Sequence, residues 1–310
     1  MNSPTISMDR FGKARLDGHR YRWESLVLLL PAAALLIGLF VAPIIYAGYL
    51  GLTNLQLIGS HAVHYKFTGM WNVHVLLNDE EFWHSLLVTI YFVVGSGAVA
   101  STIAGLVLAM LMDRAIPAIQ VSVGALAMLA CILPPATVAV LWFCVSTAGG
   151  VLPWMLGQAS SDLLFKYPVV IVSAANAWSL CGLTMLMFAA ALKNIPQDMY
   201  EAAILEGSNA VQRFFRITLP MLRPTLMTSV LLMTLLSFGN FTLVFLMTGG
   251  GPGNATNILP VYAYMQGFRF NHLGYGAMLG NVMVLLSAAL GITFICVDRL
   301  GGIKKSAKKR

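Results

Sequence analysis

Long hydrophobic runs alternate with shorter polar stretches along the whole chain. A helix needs about 20 largely apolar residues to cross a bilayer, and six runs reach that length, at residues 26–52, 85–112, 121–145, 169–192, 225–248 and 275–297. No Lys, Arg, Asp or Glu lies in the interior of these runs. The pattern predicts an all-α fold, a polytopic membrane protein with six transmembrane helices.

Composition supports the same class. Hydrophobic residues make up 58% of the 310 residues and charged residues 10%, and the mean hydropathy is +0.78. Soluble globular domains are typically about 25% charged. A soluble globular protein is therefore excluded, and the chain is expected to be integral to a membrane.

The basic residues predict an orientation. Sixteen Lys and Arg fall on one side of the predicted spans, and three fall on the other side, Lys66, Lys166 and Arg269. Because cytoplasmic loops carry the excess of Lys and Arg, both termini are expected in the cytoplasm. The predicted organisation is a tail at 1–24, a six-span domain at 25–300 with a cytoplasmic loop at 194–224, and a basic tail at 301–310. This tail is expected to contact anionic membrane lipid, not nucleic acid.

Proline and small residues predict local features of the spans. Pro134 and Pro135 are expected to kink or break the third span. Gly97, Ser101 and Gly105 recur every four residues in the second span, as Gly276 and Gly280 do in the last. Small residues at this spacing allow close approach of helices. The packing could be static, or the helices could move against each other during transport.

The loop at 194–224 contains signals for two short helices. Pro196 suits a first helical turn. Gly207 is expected to end that helix in a left-handed conformation, after which Ser208 or Asn209 can cap a second helix. In the second helix, apolar residues share one face and Arg213 lies away from it. We expect this second helix to lie along a membrane surface.

The same loop resembles the EAA loop of ABC importer permeases. The pattern, Glu-Ala-Ala, three residues, Gly, nine residues, Ile, one residue and Leu-Pro, is matched at every position by Glu201, Ala202, Ala203, Gly207, Ile217, Leu219 and Pro220. The resemblance implies the fold of a type I ABC importer permease and a coupling helix that docks on a separate ATPase subunit. The alternative is an ordinary amphipathic surface helix between two spans.

Neutral polar side chains within the fourth and fifth predicted spans are candidates for a solute pathway. They are Asn176, Trp178, Ser237 and Asn240, of which Asn240 is the strongest candidate. Polar groups are costly in hydrocarbon, so they face protein or a water-filled path. Amides and hydroxyls beside aromatic rings suit an uncharged, polyhydroxylated solute. Hydrogen bonding between helices is the alternative explanation.

A second resemblance narrows the expected class of solute. The stretch SFGNFTLVFLMTGGGPGNAT, residues 237–256, is similar to the carbohydrate-uptake branch of ABC permeases, which includes maltose, glycerol-phosphate and trehalose importers. In its maltose member that branch places a substrate-contacting asparagine where Asn240 falls. The resemblance implies a bacterial inner-membrane location, a second homologous permease subunit, two ATPase subunits and an extracytoplasmic solute-binding protein. The sequence TGGGPGNAT itself predicts a flexible external turn.

Several expected features of other classes are missing from the sequence. No G-x-x-x-x-G-K-[ST] phosphate loop occurs, so ATP and Mg are expected on the partner ATPase subunits and no cofactor on this chain. No catalytic or metal-site spacing is found. A stand-alone secondary transporter or channel remains a second hypothesis, although the spans lack ionisable residues in their interiors. A third hypothesis is a membrane-embedded enzyme that uses the histidines and acids of the first external loop, among them His74.

Overall fold

The structure is a computed structural model that describes the backbone of residues 28–307 and the side chains of residues 28–296. Within these residues it is helical, with an isolated antiparallel bridge between Thr53 and Phe67. The helices are α1 Leu28–Gly51, α2 Ser60–Val63, α3 Trp71–Leu77, α4 Glu80–Asp113, α5 Pro117–Ile132, α6 Pro135–Ser146, α7 Val151–Met155, α8 Leu163–Lys166, α9 Pro168–Leu192, α10 Gln197–Leu205, α11 Ala210–Phe238, α12 Phe241–Thr248, α13 Leu259–Tyr264 with a π-helical continuation Met265–Arg269, and α14 Leu273–Ala307.

The predicted count of six spans is confirmed. Among the described residues, six helical stretches are long and apolar enough to cross a membrane, Leu28–Gly51, Glu80–Asp113, Pro135–Met155, Pro168–Leu192, Ala210–Phe238 and Leu273–Cys296. The second begins five residues earlier than predicted, because Asp79 caps α4 by accepting a hydrogen bond from the amide of Glu81 at 3.0 Å.

The predicted third span, 121–145, is divided into two helices. α5 ends at Ile132 and α6 begins at Pro135, a residue that suits the first helical turn because it needs no N–H partner. The break predicted at Pro134 and Pro135 is therefore confirmed, and the bounds predicted for a single span are wrong.

The observed fifth span also differs from the prediction, at both of its ends. α11 runs from Ala210 to Phe238 without interruption, so the prediction of a separate second helix along the membrane surface is wrong. A π-helical turn over Phe214–Thr218 precedes Pro220, and such a turn lets a helix continue where its regular hydrogen-bond ladder is disturbed. The span then breaks at Gly239 and resumes as α12.

The chain divides into two compact units, residues 1–49 and 50–310. The described part of the first unit consists of α1, whose large apolar side chains are exposed. In the second unit α9 is the central helix, and it contacts α4, α5 and α11 along its length. The predicted tail 301–310 begins inside α14, which continues to Ala307, and the predicted tail 1–24 lies outside the described residues.

Several close approaches between helices of the second unit occur at glycines. A side chain at Gly97 would collide with Ser237 of α11, and one at Gly105 would collide with Thr184 of α9. Gly276 lies similarly close to Gly267. The predicted close packing at these positions is confirmed. A Cβ at Gly280 would meet no atom within 4 Å, so this position makes no such contact in the chain.

Candidate functional site

The polar loop folds as the sequence predicts up to its bend. Pro196 immediately precedes α10, and Gly207 has φ of +79°, a left-handed conformation that favours glycine. Asn209 caps the next helix by accepting a hydrogen bond from the amide of Gln212 at 2.8 Å, and the Gln212 side chain accepts from the Asn209 amide at 3.0 Å. We call residues 194–209 the bent segment.

Two further hydrogen bonds hold the bend closed. The Ser208 hydroxyl donates to the Ala203 carbonyl at 2.6 Å. The Arg213 guanidinium donates to the Ser208 carbonyl at 2.7 Å. Polar contacts within the segment and to the start of α11 therefore fix the angle between α10 and α11.

One side of the bent segment is anchored in the protein. Ile195 is 5% exposed and belongs to a buried cluster with Ala109, Met185, Phe188 and Leu222, which come from α4, α9 and α11. Tyr200 packs against this cluster, as Ile217 does. The bent segment is thus attached to three of the predicted spans at one place.

The other side of the bent segment is exposed. Leu205 is 90% exposed and Ile204 55%. Glu201 and Ala202 are also exposed, and Ala203 is half-buried. A Cβ added at Gly207 would meet no atom of the chain within 4 Å. An apolar surface with small residues at its centre suits close contact with another protein.

The remaining residues of the EAA pattern lie in α11. Ile217 faces the buried cluster, Leu219 is half-buried and Pro220 is exposed. These three residues shape the start of the span and not the bare surface of α10.

The candidate pathway residues meet in a buried polar network, formed by Ser96, Asn176, Ser237 and Asn240. The Asn176 amide donates to the hydroxyls of Ser96 at 2.7 Å and Ser237 at 2.8 Å, and its oxygen accepts from the Asn240 amide at 2.9 Å. Asn176, Ser96 and Ser237 are fully buried, whereas Asn240 is half-buried. The interhelical bonding left open by the sequence is therefore present, and Asn240 is the member of this network that remains accessible.

Asn240 lies where the fifth span breaks, immediately before α12. Aromatic rings follow it on one surface: Phe241 and Phe245 stack with centroids 5.0 Å apart, and Tyr264 lies 5.2 Å from Phe241. Trp178 lies edge-on to Trp142 at 6.3 Å and packs against the same buried cluster as Phe241 and Phe245. The helix break at Asn240 is therefore followed by a stacked aromatic surface.

The distal end of the second unit lies opposite the bent segment. Asn176 contacts Ser96 and Thr184 contacts the Ser101 carbonyl, so α4 and α9 run in the same direction. The bent segment follows the end of α9, and α4 begins at the other end, near Asp79. That aspartate accepts hydrogen bonds from the hydroxyls of Tyr262 and Tyr275. Burial, together with this carboxylate, raises the pKa of Tyr262.

The histidines and acids of the first external loop, residues 53–84, are not placed together as a metal-binding group among the described residues. Within residues 28–307, no group of three or more His, Cys, Asp or Glu is placed to hold a metal ion. His74 stacks against Trp71 with centroids 6.2 Å apart, and His84 pairs through Nε2 with the Asn254 carbonyl at 3.1 Å. These contacts join the loop to itself and to the glycine-rich turn.

The sequence did not reveal Ser96 as a member of the network, nor the contacts of Tyr200 and Asp79. Each depends on a partner far along the chain, so no local spacing marks it. The polar character of Ser96 within an apolar run was the one available signal. The glycine-rich turn, expected to be flexible, is joined internally by a hydrogen bond of 2.6 Å between the Thr248 and Thr256 hydroxyls.

Comparison with known proteins gives the family. The chain is 29% identical over 277 residues to a "Diacetylchitobiose uptake system permease protein" of Streptomyces coelicolor, a match that covers 86% of this chain and 83% of the relative. It is 30% identical over 241 residues to a "Trehalose/maltose transport system permease protein" of Thermococcus litoralis, covering 74% and 78%. It is also 30% identical over 275 residues to an "Inner membrane ABC transporter permease protein" of Escherichia coli, covering 86% and 91%.

Solved structures show the same fold. A chain of a bacterial ABC transporter that imports the acidic polysaccharide alginate superposes with a TM-score of 0.72 at 18% identity, covering 91% of this chain and 96% of that one. The sequence profile of the family described as "Binding-protein-dependent transport system inner membrane component" matches residues 101–300. The chain belongs to this family and is a multi-pass membrane permease component of such a transport system.

Proposed function

We propose that the chain is a permease subunit of an ATP-driven importer for a neutral sugar or sugar derivative, and that the bent segment is its contact with the ATPase. The observation that carries this proposal is the construction of the bent segment. One side is fixed to three spans through Ile195 and Tyr200, and the other side is bare around Ala202 and Gly207. A force applied to the bare side would reach the spans directly.

The partners follow from this arrangement. ATP and Mg would bind on two ATPase subunits, and an extracytoplasmic binding protein would deliver the solute. A second homologous permease subunit, in a heterodimer, would complete the pathway, since this chain supplies one set of six spans. The bent segment and both termini would lie in the cytoplasm of a bacterial cell, with the six-span region at 25–300 in the inner membrane and the tails at 1–24 and 301–310 on its cytoplasmic side.

Asn240 is the proposed contact for the solute. It is held at a helix break by Asn176 and is followed by stacked rings, a combination that suits hydroxyl groups on one side and the apolar face of a sugar on the other. Ser237 would act from behind it on α11, and Asn176 and Trp178 would act from α9. The names of the relatives support a saccharide, since they specify diacetylchitobiose, trehalose and maltose.

Uptake by the reconstituted transporter tests the proposal. Proteoliposomes would contain this chain with its partner permease, its ATPase subunits and its binding protein, and would be given radiolabelled diacetylchitobiose, maltose or trehalose. We expect uptake that requires ATP in the compartment into which the ATPase subunits project. Uptake that persists without the ATPase subunits would instead support a stand-alone carrier or channel.

A further inference from the structure

A cavity of about 930 Å³ opens at the distal end of the second unit. It is bounded by the loop around α3, the glycine-rich turn after α12 and the region where α13 meets α14. Small-molecule sites in proteins typically measure about 300–1,000 Å³. The cavity is therefore large enough for a sugar of one or two rings.

Hydrogen bonds hold in place the side chains on one part of the cavity lining, which we call the floor. Asp79 accepts from two tyrosine hydroxyls, and Gln266 donates to the Tyr262 hydroxyl at 3.0 Å. Glu81 accepts from the Asn257 amide at 2.9 Å. Because both carboxylates already have donors from the protein, the floor does not favour a metal cation.

One buried group on this floor has no partner. Asn257 is 6% exposed, and its side-chain oxygen accepts no hydrogen bond from the described residues. Its nitrogen is already bound to Glu81, which fixes the orientation of the amide. A buried oxygen without a donor is costly, and a hydroxyl-bearing ligand in the cavity is one source of a donor after a small adjustment of the floor.

The rim provides further groups that are not engaged. The side-chain amides of Gln56 and Asn254 have no hydrogen-bond partner in the part of the chain that the structure describes, and both line the cavity. Among the described residues, the one hydrogen-bond partner of the Arg269 guanidinium is the sulfur of Met265, at 3.7 Å. Trp71, also in the lining, is 63% exposed. Amides and a guanidinium around an exposed indole match the hydroxyls and the apolar face of a sugar ring.

The cavity is separate from the site at Asn240. α12 lies between them, with Asn240 before its first residue and Thr248, which lines the cavity, at its end. Eight helical residues extend about 12 Å at 1.5 Å per residue. A solute in the cavity would therefore be one helix length from the helix break.

We propose that this cavity is a second saccharide subsite, which holds a neutral, hydroxyl-rich solute at the distal mouth before it reaches Asn240. The proposal rests on the proposed sugar-import function and adds a binding step to it. Gln56, Asn254 and Arg269 bind the hydroxyls, and Trp71 stacks on the ring. The competing occupant is a loop of the binding protein.

Saturation-transfer NMR tests the subsite apart from transport. The complete permease and ATPase complex is placed in lipid nanodiscs without nucleotide or binding protein, and diacetylchitobiose, maltose and trehalose are each added. We expect at least one sugar to bind the wild type. The double variant Gln56→Leu, Arg269→Gln should bind it roughly tenfold more weakly, which corresponds to a loss of about 1.4 kcal/mol. Glu80→Gln, at an exposed position outside the cavity lining, should bind like the wild type.

The outcomes separate the two proposals. Co-purification of the ATPase subunits with each variant shows that it has assembled. The wild type and the double variant are also compared in an Asn240→Ala background, so that binding at the helix break does not mask binding in the distal cavity. Absence of binding to the wild type, or equal binding by the double variant, would overturn the subsite even if sugar uptake is demonstrated. If the double variant binds sugar like the wild type but binds the binding protein more weakly, the cavity accommodates a loop of the binding protein. That result would also overturn the saccharide subsite.

Discussion

The hydroxyl oxygens of Tyr200 and Thr218 lie 2.9 Å apart and share a hydrogen bond that joins α10 to the start of α11. Thr218 is 5% exposed, and Tyr200 packs on the buried cluster that α4, α9 and α11 form together. The contact therefore ties the bent segment to the fifth span at a point shielded from solvent.

Tyr200→Phe removes this hydrogen bond and keeps the ring in the cluster. A hydrogen bond of this kind contributes about 0.5–1.5 kcal/mol, so the complex should assemble but hydrolyse several-fold more ATP for each solute imported. Measurement of uptake and hydrolysis in the same proteoliposomes gives this ratio. Thr218→Val should have the same effect, and the double variant should be no worse than either. Fully additive effects would show that the two hydroxyls act independently.

Gly207→Leu tests the bend. A non-glycine residue in the left-handed region costs roughly 1–2 kcal/mol, and the new side chain would project from the bare surface, where the chain has no atom within 4 Å. We expect normal membrane insertion with loss of ATPase docking, measured by co-purification. Gly253→Leu is a matched control, because Gly253 has φ of +56° and is equally open, but lies at the distal end. Normal coupled transport by Gly207→Leu would contradict the assignment.

Asn240→Ala tests the proposed solute contact. The substitution removes the accessible amide and leaves the Asn176 oxygen without its donor, at a cost of about 1–3 kcal/mol. Solute-stimulated ATP hydrolysis should fall, while basal hydrolysis and subunit assembly persist. Asn78→Ala, at an exposed position beside α3, should leave stimulation unchanged. If stimulation survives in Asn240→Ala, this residue does not lie on the pathway.

Gly105→Leu tests the packing of α4 on α9. The added side chain would collide with Thr184 and with the backbone of Met185, and overpacking of this kind typically costs about 1–3 kcal/mol. The melting temperature of the purified permease should fall. Gly95→Leu is the control on the same helix, since a Cβ there meets no atom within 4 Å. Equal melting temperatures for the two variants would mean that the close approach at Gly105 does not determine stability.

Local signals predicted much of this structure. The length of the apolar runs gave the number of spans. Pro135, Gly207 and Asn209 marked a break in a span, the end of a helix and a cap, because each acts on its own backbone. The break at Gly239 was missed, since the apolar run continues through it. The bonds of Asn176, Tyr200 and Asp79 could not be predicted, because each joins positions brought together only by packing of the helices. The continuity of α11 was missed because Arg213, Arg216 and Arg223 precede the apolar run, which marks the start of the span and not the start of the helix.

The central claim is that an ATPase subunit contacts the exposed side of α10. Site-directed crosslinking tests it most directly: Ala202→Cys, in a chain whose native cysteines are replaced by serine, is labelled in native membranes with a short reagent that carries a thiol-reactive group and a photoactivatable group, and is then irradiated. We expect a crosslinked product that contains the ATPase subunit, with none from Asn78→Cys at the distal end. Labelling of Ala202→Cys by an impermeant reagent from outside the cell, or an absence of any ATPase crosslink along α10, would contradict the account.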